Sequence, residues 1–245
     1  MDKPMTLRPT RRALIKGAIA GTLAASAPGR LFAQANPLGP RDRRLFDIAK
    51  TQLDKAGDVI WRKDVVGIAD FGVHSANKRF HFLNMGTQEV KSFFVTHGTG
   101  SDPEHDGWLN TYSNVHESLQ TSRGAYVTWE WYRGRFGTSV RLGGLDPTND
   151  NAFPRAIVLH KADYATQEHV DRWGRLGRSN GCFAMGPQDF NEALWNLSGG
   201  RLLYADSLGI GADGQNVTRP AAAAPLTPGA PLPTTPGEMA VPGAS

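Results

Sequence analysis

The sequence predicts a mainly β domain, a β-sandwich or partly open barrel, with an N-terminal helix and one short helix near its end. Three observations carry this. Seven short runs of strand-type residues follow one another between residues 65 and 205, separated by Gly, Pro and Asp turn signals. Only two segments space their apolar residues at a helical period. No alternating strand–helix rhythm and no internal repeat is present, so a parallel α/β sheet is not expected.

The elements follow in order. Arg43–Ala56 reads as an amphipathic helix, with Leu45, Ile48, Ala49, Leu53 and Ala56 on one face and Gly57 as its stop. The strand-type runs are Val65–Phe71, Arg79–Met85, Val90–Thr96, Ala125–Tyr132, Ser139–Leu142, Ala156–His160 and Arg201–Ala205. Gly98, Gly100, Gly107, Gly134, Gly137, Gly143-Gly144 and Asp146-Pro147 punctuate them. Pro187–Leu197 is the second helix: Pro187 suits a first turn, Phe190, Ala193, Leu194 and Leu197 form its stripe, and Gly199-Gly200 ends it. The polar stretch Asp102–Thr121 has no strand signal and reads as a lid or substrate loop. In the aromatic cluster Tyr126, Trp129, Trp131 and Tyr132, strand aromatics are expected to pack in the core, Trp129 and Trp131 included.

Both ends differ from this body. Residues 1–35 carry six of the 27 Lys/Arg and one of the 23 Asp/Glu, so the rest of the chain has a net charge of −1 and no electrostatic footprint for nucleic acid. The segment Thr10-Arg11-Arg12-Ala13-Leu14-Ile15-Lys16 resembles a twin-arginine (Tat) export signal, followed by an Ala/Gly-rich stretch and by Ala33-Gln34-Ala35. Tat machinery, cleavage by signal peptidase after Ala35 and release into the periplasm are the expectation. At the other end, seven prolines and a single charge, Glu238, lie between Pro220 and Ser245, and residues 214–245 are expected to be a disordered Pro/Ala-rich tail. The folded domain is thereby placed at 36–213, long enough for one core. A single cysteine excludes an internal disulfide and a multi-cysteine zinc site. His105 and His116, with Asp102, Glu104 and Asp106, show no known ligand spacing, so no metal and no organic cofactor are expected.

The chemistry gathers late in the chain. The apolar run Ala156-Ile157-Val158-Leu159 delivers His160 to a strand end, and 22 residues later stands Arg178-Ser179-Asn180-Gly181-Cys182. A glycine before a cysteine lets the backbone turn tightly and aim its amides at a carbonyl oxygen. A free thiol is only a few per cent ionised at neutral pH, and a neighbouring imidazole that takes its proton lowers its pKa. Thiol, base and amide donors together are the minimum kit for acyl transfer.

These residues match a known pattern. The segments Thr96-His97-Gly98-Thr99-Gly100-Ser101, Tyr112-Ser113-Asn114, Arg155-Ala156-Ile157-Val158-Leu159-His160 and Gly174-Arg175-Leu176-Gly177-Arg178-Ser179-Asn180-Gly181-Cys182 resemble the L,D-transpeptidase (YkuD-type) catalytic domain, over about residues 70–207. The resemblance implies a YkuD-like β fold. It implies Cys182 as nucleophile, His160 as general base with its other nitrogen held by a backbone carbonyl such as that of Lys161, and the amides of Gly181 and Cys182 as oxyanion donors. Ser179 and Asn180 complete the catalytic loop. Arg178, His97, Lys161, Tyr164 and Asn114 are the expected substrate-binding residues. The implied reaction joins peptidoglycan stem peptides through a thioester, with a diaminopimelate amine as acceptor, in a 3–3 link or at another stem position such as 1–3. Carbapenem-type inhibitors are expected to acylate the thiol. Three positions depart from the pattern: Asn180 where the broader family has a second His, Lys161 where Gly is usual, and Phe183 where the branch has Pro.

Other readings stand beside this one. Cys182 alone would be a small buried hydrophobe and His160 a satisfied core histidine. Arg178 is either a surface ion-pair partner or a bidentate carboxylate clamp, and Ser179 a turn hydroxyl or a site partner. A cysteine peptidase or amidase acting on stem peptides, and a wall-binding module with an inert thiol, are the two rival functions.

Overall fold

The structure, a computed structural model, describes residues 38–220. The expected leader, its cleavage point, and the tail from residue 221 lie outside the described residues. Eight strands form one mixed sheet in the order β3-β2-β1-β8-β4-β5-β6-β7. They are β1 (Val65–Asp70), β2 (Phe80–Asn84), β3 (Glu89–Phe93), β4 (Gly124–Gly134), β5 (Gly137–Gly144), β6 (Val158–Lys161), β7 (Phe183–Met185) and β8 (Leu202–Asp206). Five pairings are antiparallel; β1 with β8 and β6 with β7 are parallel.

The outer strands β3 and β7 nearly meet. The chain leaving β3 runs past the free edge of β7: Thr96 N–H donates to the Ala184 carbonyl at 3.0 Å. Ser179 N–H then bonds the His97 carbonyl at 2.9 Å, and Thr99 N–H the Ser179 carbonyl at 2.8 Å. Satisfying these edge groups turns an open sheet into a nearly closed one. Of the two architectures expected, the barrel is the one formed. At the seam a Cβ on Gly98 would stand 2.2 Å from the Leu119 carbonyl oxygen and 2.9 Å from the Gly181 backbone, so three chain segments meet where only glycine fits.

The central strands are buried on both faces, which is why they read as continuous apolar runs. On one face Val65, Ala69, Tyr126, Leu203 and Ala205 join a cluster with Phe71, Phe80, Phe183 and the stripe Phe190, Ala193 and Leu197 of helix α3 (Pro187–Leu197). On the other, Val66, Ile68, Ala125, Val127 and Leu202 pack against Leu45, Phe46, Ala49 and Leu53 of helix α1 (Pro40–Ala56). The alternation is the period-2 pleat of the strands. Helix α1 begins three residues before the expected start because Pro40 is preset for a first turn and Asp42 suits the positive helix end.

Three elements depart from the sequence expectation. Helix α2 (Gln167–Trp173) buries no residue, so it has no apolar period to read; Thr166 caps it through His169 N–H and Gly174 in the left-handed region ends it. Strand β7 is three residues long. The run Ala156–His160 is extended only from Val158, because Ala156 sits at φ 56°. Past residue 213 the chain still contacts the body: Arg44 donates to the Gly214 carbonyl at 2.7 Å, and Arg219 bonds Asp106 at 2.9 Å.

Candidate active site

The register of β6 and β7 builds the site. Leu159 pairs with Phe183 and His160 with Ala184 in parallel. Side chains of paired residues share a face and alternate along each strand. Cys182, one step before Phe183, therefore lies on the same face as His160, beside Val158. Both side chains open into one cavity of about 360 Å³, lined also by Tyr132, Phe136, Arg155, Ala156, Tyr164, Arg178, Ser179 and Asn180.

The two ring nitrogens of His160 differ. Its Nδ1 bonds the Lys161 carbonyl at 2.9 Å; a carbonyl only accepts, so Nδ1 carries the hydrogen. Nε2 is then the lone-pair nitrogen, and it is buried without a hydrogen-bond partner among the described residues. Phe136 stacks over the ring, centroids 4.5 Å apart and planes 17° from parallel. Burial lowers the imidazole pKa, and the bond from Nδ1 to Lys161 opposes that.

Cys182 is nearly buried, and its Sγ lies 3.6 Å from the Ala156 carbonyl oxygen, to which the S–H donates. Burial pushes the thiol pKa above its ordinary value, while the Val158 N–H and the Arg155 guanidinium pull it down. Burial thus shifts each group of the pair in the direction of its neutral form.

Ser179 shapes the loop. Its hydroxyl donates to the Cys182 carbonyl at 2.6 Å and accepts from Gly181 N–H at 3.2 Å. Gly181, at φ 105°, gives its amide to the loop in this structure. The Cys182 N–H makes no hydrogen bond among the described residues and stays available to an oxyanion.

Arg178, Tyr164 and Asn180 line the cavity as expected. Arg178 also donates through Nη1 to the carbonyls of Asp102 and Pro103, at 3.3 Å for the second, tying the Cys loop to the stretch after residue 101. Three expected substrate contacts lie elsewhere. His97 is buried, with Nδ1 accepting from Arg79 Nη2 at 2.8 Å and Nε2–H donating to Asp102 at 3.1 Å, so no ring atom is left for a ligand. Lys161 points away from the cavity lining and serves through its carbonyl. Asn114 pins two loops together through Pro147, Asp150 and Asn151.

The sequence reading missed Arg155 and the β4–β5 hairpin. Arg155 donates to the Ser113 carbonyl at 2.8 Å, the Ser122 hydroxyl at 2.5 Å and the Gln120 carbonyl at 2.6 Å. The stretch expected to be a lid is thereby fastened at its far end. Tyr132, Arg135 and Phe136 overhang the cavity from the hairpin instead. On the hairpin strand Trp129 and Trp131 are exposed, Trp131 by 60%, and do not pack in the core as expected; the bulge between Thr128 and Trp131 shifts the pleat there.

The fold is thus a nearly closed sheet with His160 on β6 and Cys182 just before the parallel strand β7, both lining one cavity. The L,D-transpeptidase catalytic domain family matches residues 41–205, and the chain belongs to that family. The match takes in helix α1, which the sequence motifs left outside. No curated protein matches the chain.

Similar solved structures include an L,D-transpeptidase from Mycobacterium smegmatis, at 16% identity and TM-score 0.35 over 58% of this chain and 58% of that one. L,D-transpeptidase 3 from Mycobacterium tuberculosis, solved with a faropenem-derived adduct, is 13% identical, with TM-score 0.36 over 58% of this chain and 60% of that one. The helical cell shape determining protein Pgp2 from Campylobacter jejuni is 14% identical, with TM-score 0.38 over 70% and 57%. This chain thus spans about three fifths of the length of each.

Proposed function

We propose that this chain is a peptidoglycan L,D-transpeptidase that works through a Cys182 thioester. Family membership supports the reaction class. The observation that carries the residue assignment is the unpartnered Nε2 of His160, on a ring that lines the same cavity as Cys182. Nε2 takes the thiol proton as sulfur attacks a stem-peptide carbonyl. Cys182 N–H steadies the oxyanion. The expelled amine recovers that proton from the imidazolium, leaving a thioester. A diaminopimelate side-chain amine on a second stem then attacks, gives its proton to Nε2, and frees the sulfur, which takes the proton back. The donor carbonyl is that of the third stem residue, giving a 3–3 link, with a link at another position such as 1–3 as the variant. The mature chain acts in the periplasm after Tat export and loss of residues 1–35.

Replacing Cys182 by Ala tests this. New cross-links should vanish from the muropeptide profile, and a carbapenem should add one drug mass to the wild type and none to the variant. Persistence of the same cross-links in the variant would overturn the proposal. Muropeptides that shrink where they should enlarge would reassign the chain to hydrolysis.

A further inference from the structure

Ala156 is a non-glycine residue at φ 56°, a conformation that side chains rarely hold and that recurs at functional sites. Three constraints impose it. Ala156 N–H donates to the Phe153 carbonyl at 3.0 Å, and Ile157 N–H to the Ala152 carbonyl at 2.9 Å. The preceding Arg155 is clamped by the 113–122 stretch. The result is a carbonyl turned out of the strand ladder and into the cavity, where the Cys182 thiol is its donor at 3.6 Å.

That bond lasts only while sulfur carries hydrogen. Acylation removes the hydrogen, so a carbonyl beside the new thioester loses its donor at the moment an acceptor must enter. Ala156 is exposed at the cavity wall, so its carbonyl passes from the thiol to whatever donor enters, and an incoming N–H takes it in place of water.

We infer that the Ala156 carbonyl receives the acceptor amine and orients it for attack on the thioester, a role that rests on the transpeptidase reading above. A primary amine carries two hydrogens on nitrogen. One stays on Ala156 O and becomes the N–H of the product amide. The other passes to His160 Nε2 as the C–N bond forms. The C–S bond then breaks, sulfur takes the proton from the imidazolium, and the S–H returns to Ala156 O. A secondary amine has a single hydrogen, which the base must take, so nothing remains for Ala156.

The test isolates the acyl-enzyme by intact mass. It then times its aminolysis by a muropeptide with a free diaminopimelate amine and by the same muropeptide N-methylated at that amine. The wild type should discharge to the primary amine at least about tenfold faster. Ala156→Val places a branched side chain where left-handed backbone is strongly disfavoured, and so swings the carbonyl away. Its isolated acyl-enzyme should react with the primary amine about tenfold more slowly, and its preference over the N-methyl acceptor should collapse toward one. Ala156→Gly, which holds positive φ without strain, should rescue the preference. A wild-type preference near one overturns the inference, whether or not Ala156→Val folds. So does a valine variant whose acyl-enzyme keeps the wild-type preference for the primary amine. A wild type that forms no acyl-enzyme overturns the parent reading as well.

Discussion

His97 and His160 flank strand β7 from opposite sides, and burial pushes both below the ordinary imidazole range. Their partners separate them. His97 has both nitrogens filled, by Arg79 and Asp102, and makes a buried chain of charge-assisted bonds beside the barrel seam. His160 has one nitrogen filled by a backbone carbonyl and one left bare among the described residues. The same residue type at the same depth is a fastening in one place and, in the proposed reaction, a base in the other. An unfilled lone pair on a ring that lines a cavity distinguishes the second.

Swapping each ring shows how sharp this division is. His160→Asn can still offer a hydrogen to the Lys161 carbonyl but has no base, so acylation should fall about 10²–10⁴-fold with little change in melting temperature. Carbapenem mass-gain kinetics and calorimetry check the two halves. His97→Ala should do the reverse. It strands the Arg79 and Asp102 charges in a dry site, which costs about 3–5 kcal/mol. The melting temperature should drop by about 10 °C, while the folded fraction acylates far faster than His160→Asn. Equal loss of activity in the two variants would erase the distinction.

Acid should find the fastening first. His97 and His81 are both lowered to about 4 by burial. An unfolded imidazole titrates near 6.5, so between about pH 6.5 and 4 the unfolded chain binds protons that the native one refuses. Stability therefore falls as pH falls through that window, by up to about 3 kcal/mol for each ring, and is flat on this account above it. Asp102, held below the usual carboxylate range, extends the loss to lower pH as it too becomes protonated. Urea titrations at pH 7.5, 5.5 and 4.5 measure the slope. His97→Gln should flatten it, since one of the two rings is gone.

Much of this division was hidden in the sequence for physical reasons. The central strands were legible because burial on both faces writes an unbroken apolar run. Cys182 and His160 were legible as a pair because the glycine turn and the apolar strand lie beside them in the chain. His97-Gly98 looks much the same in one dimension, but its meaning comes from Arg79, 18 residues before, and Asp102, five after. Arg155 stood inside a recognisable motif, yet its partners lie 33 to 42 residues upstream. Residue order says little about burial, so the thiol was expected to have a lowered pKa, whereas burial pushes it up. Helix α2 and strand β7 were invisible for a simpler cause: the first buries nothing, and the second is too short to show a period.

The smallest effect probes why the two rings share a low pKa. Phe71 meets His97 edge-on, at 6.2 Å and 74°, inside a core that water does not reach. Phe136 covers His160 face-on from the hairpin tip and is itself half-exposed. Trimming Phe136 to Ala should let water reach the imidazole, relieve the desolvation that lowers its pKa, and raise that pKa toward the ordinary value. A raised pKa means the base is protonated at a higher pH. The acid limb of the acylation profile should therefore move upward by a fraction of a unit, and the rate at pH 7.5 should change by about twofold to fivefold. Thermal stability should hold, because the ring rests on the surface of the cavity and not in either apolar cluster. An acid limb that stays in place would mean that strand β6, and not the hairpin, keeps His160 dry, and the hairpin would then be a wall of the cavity with no hand in its chemistry.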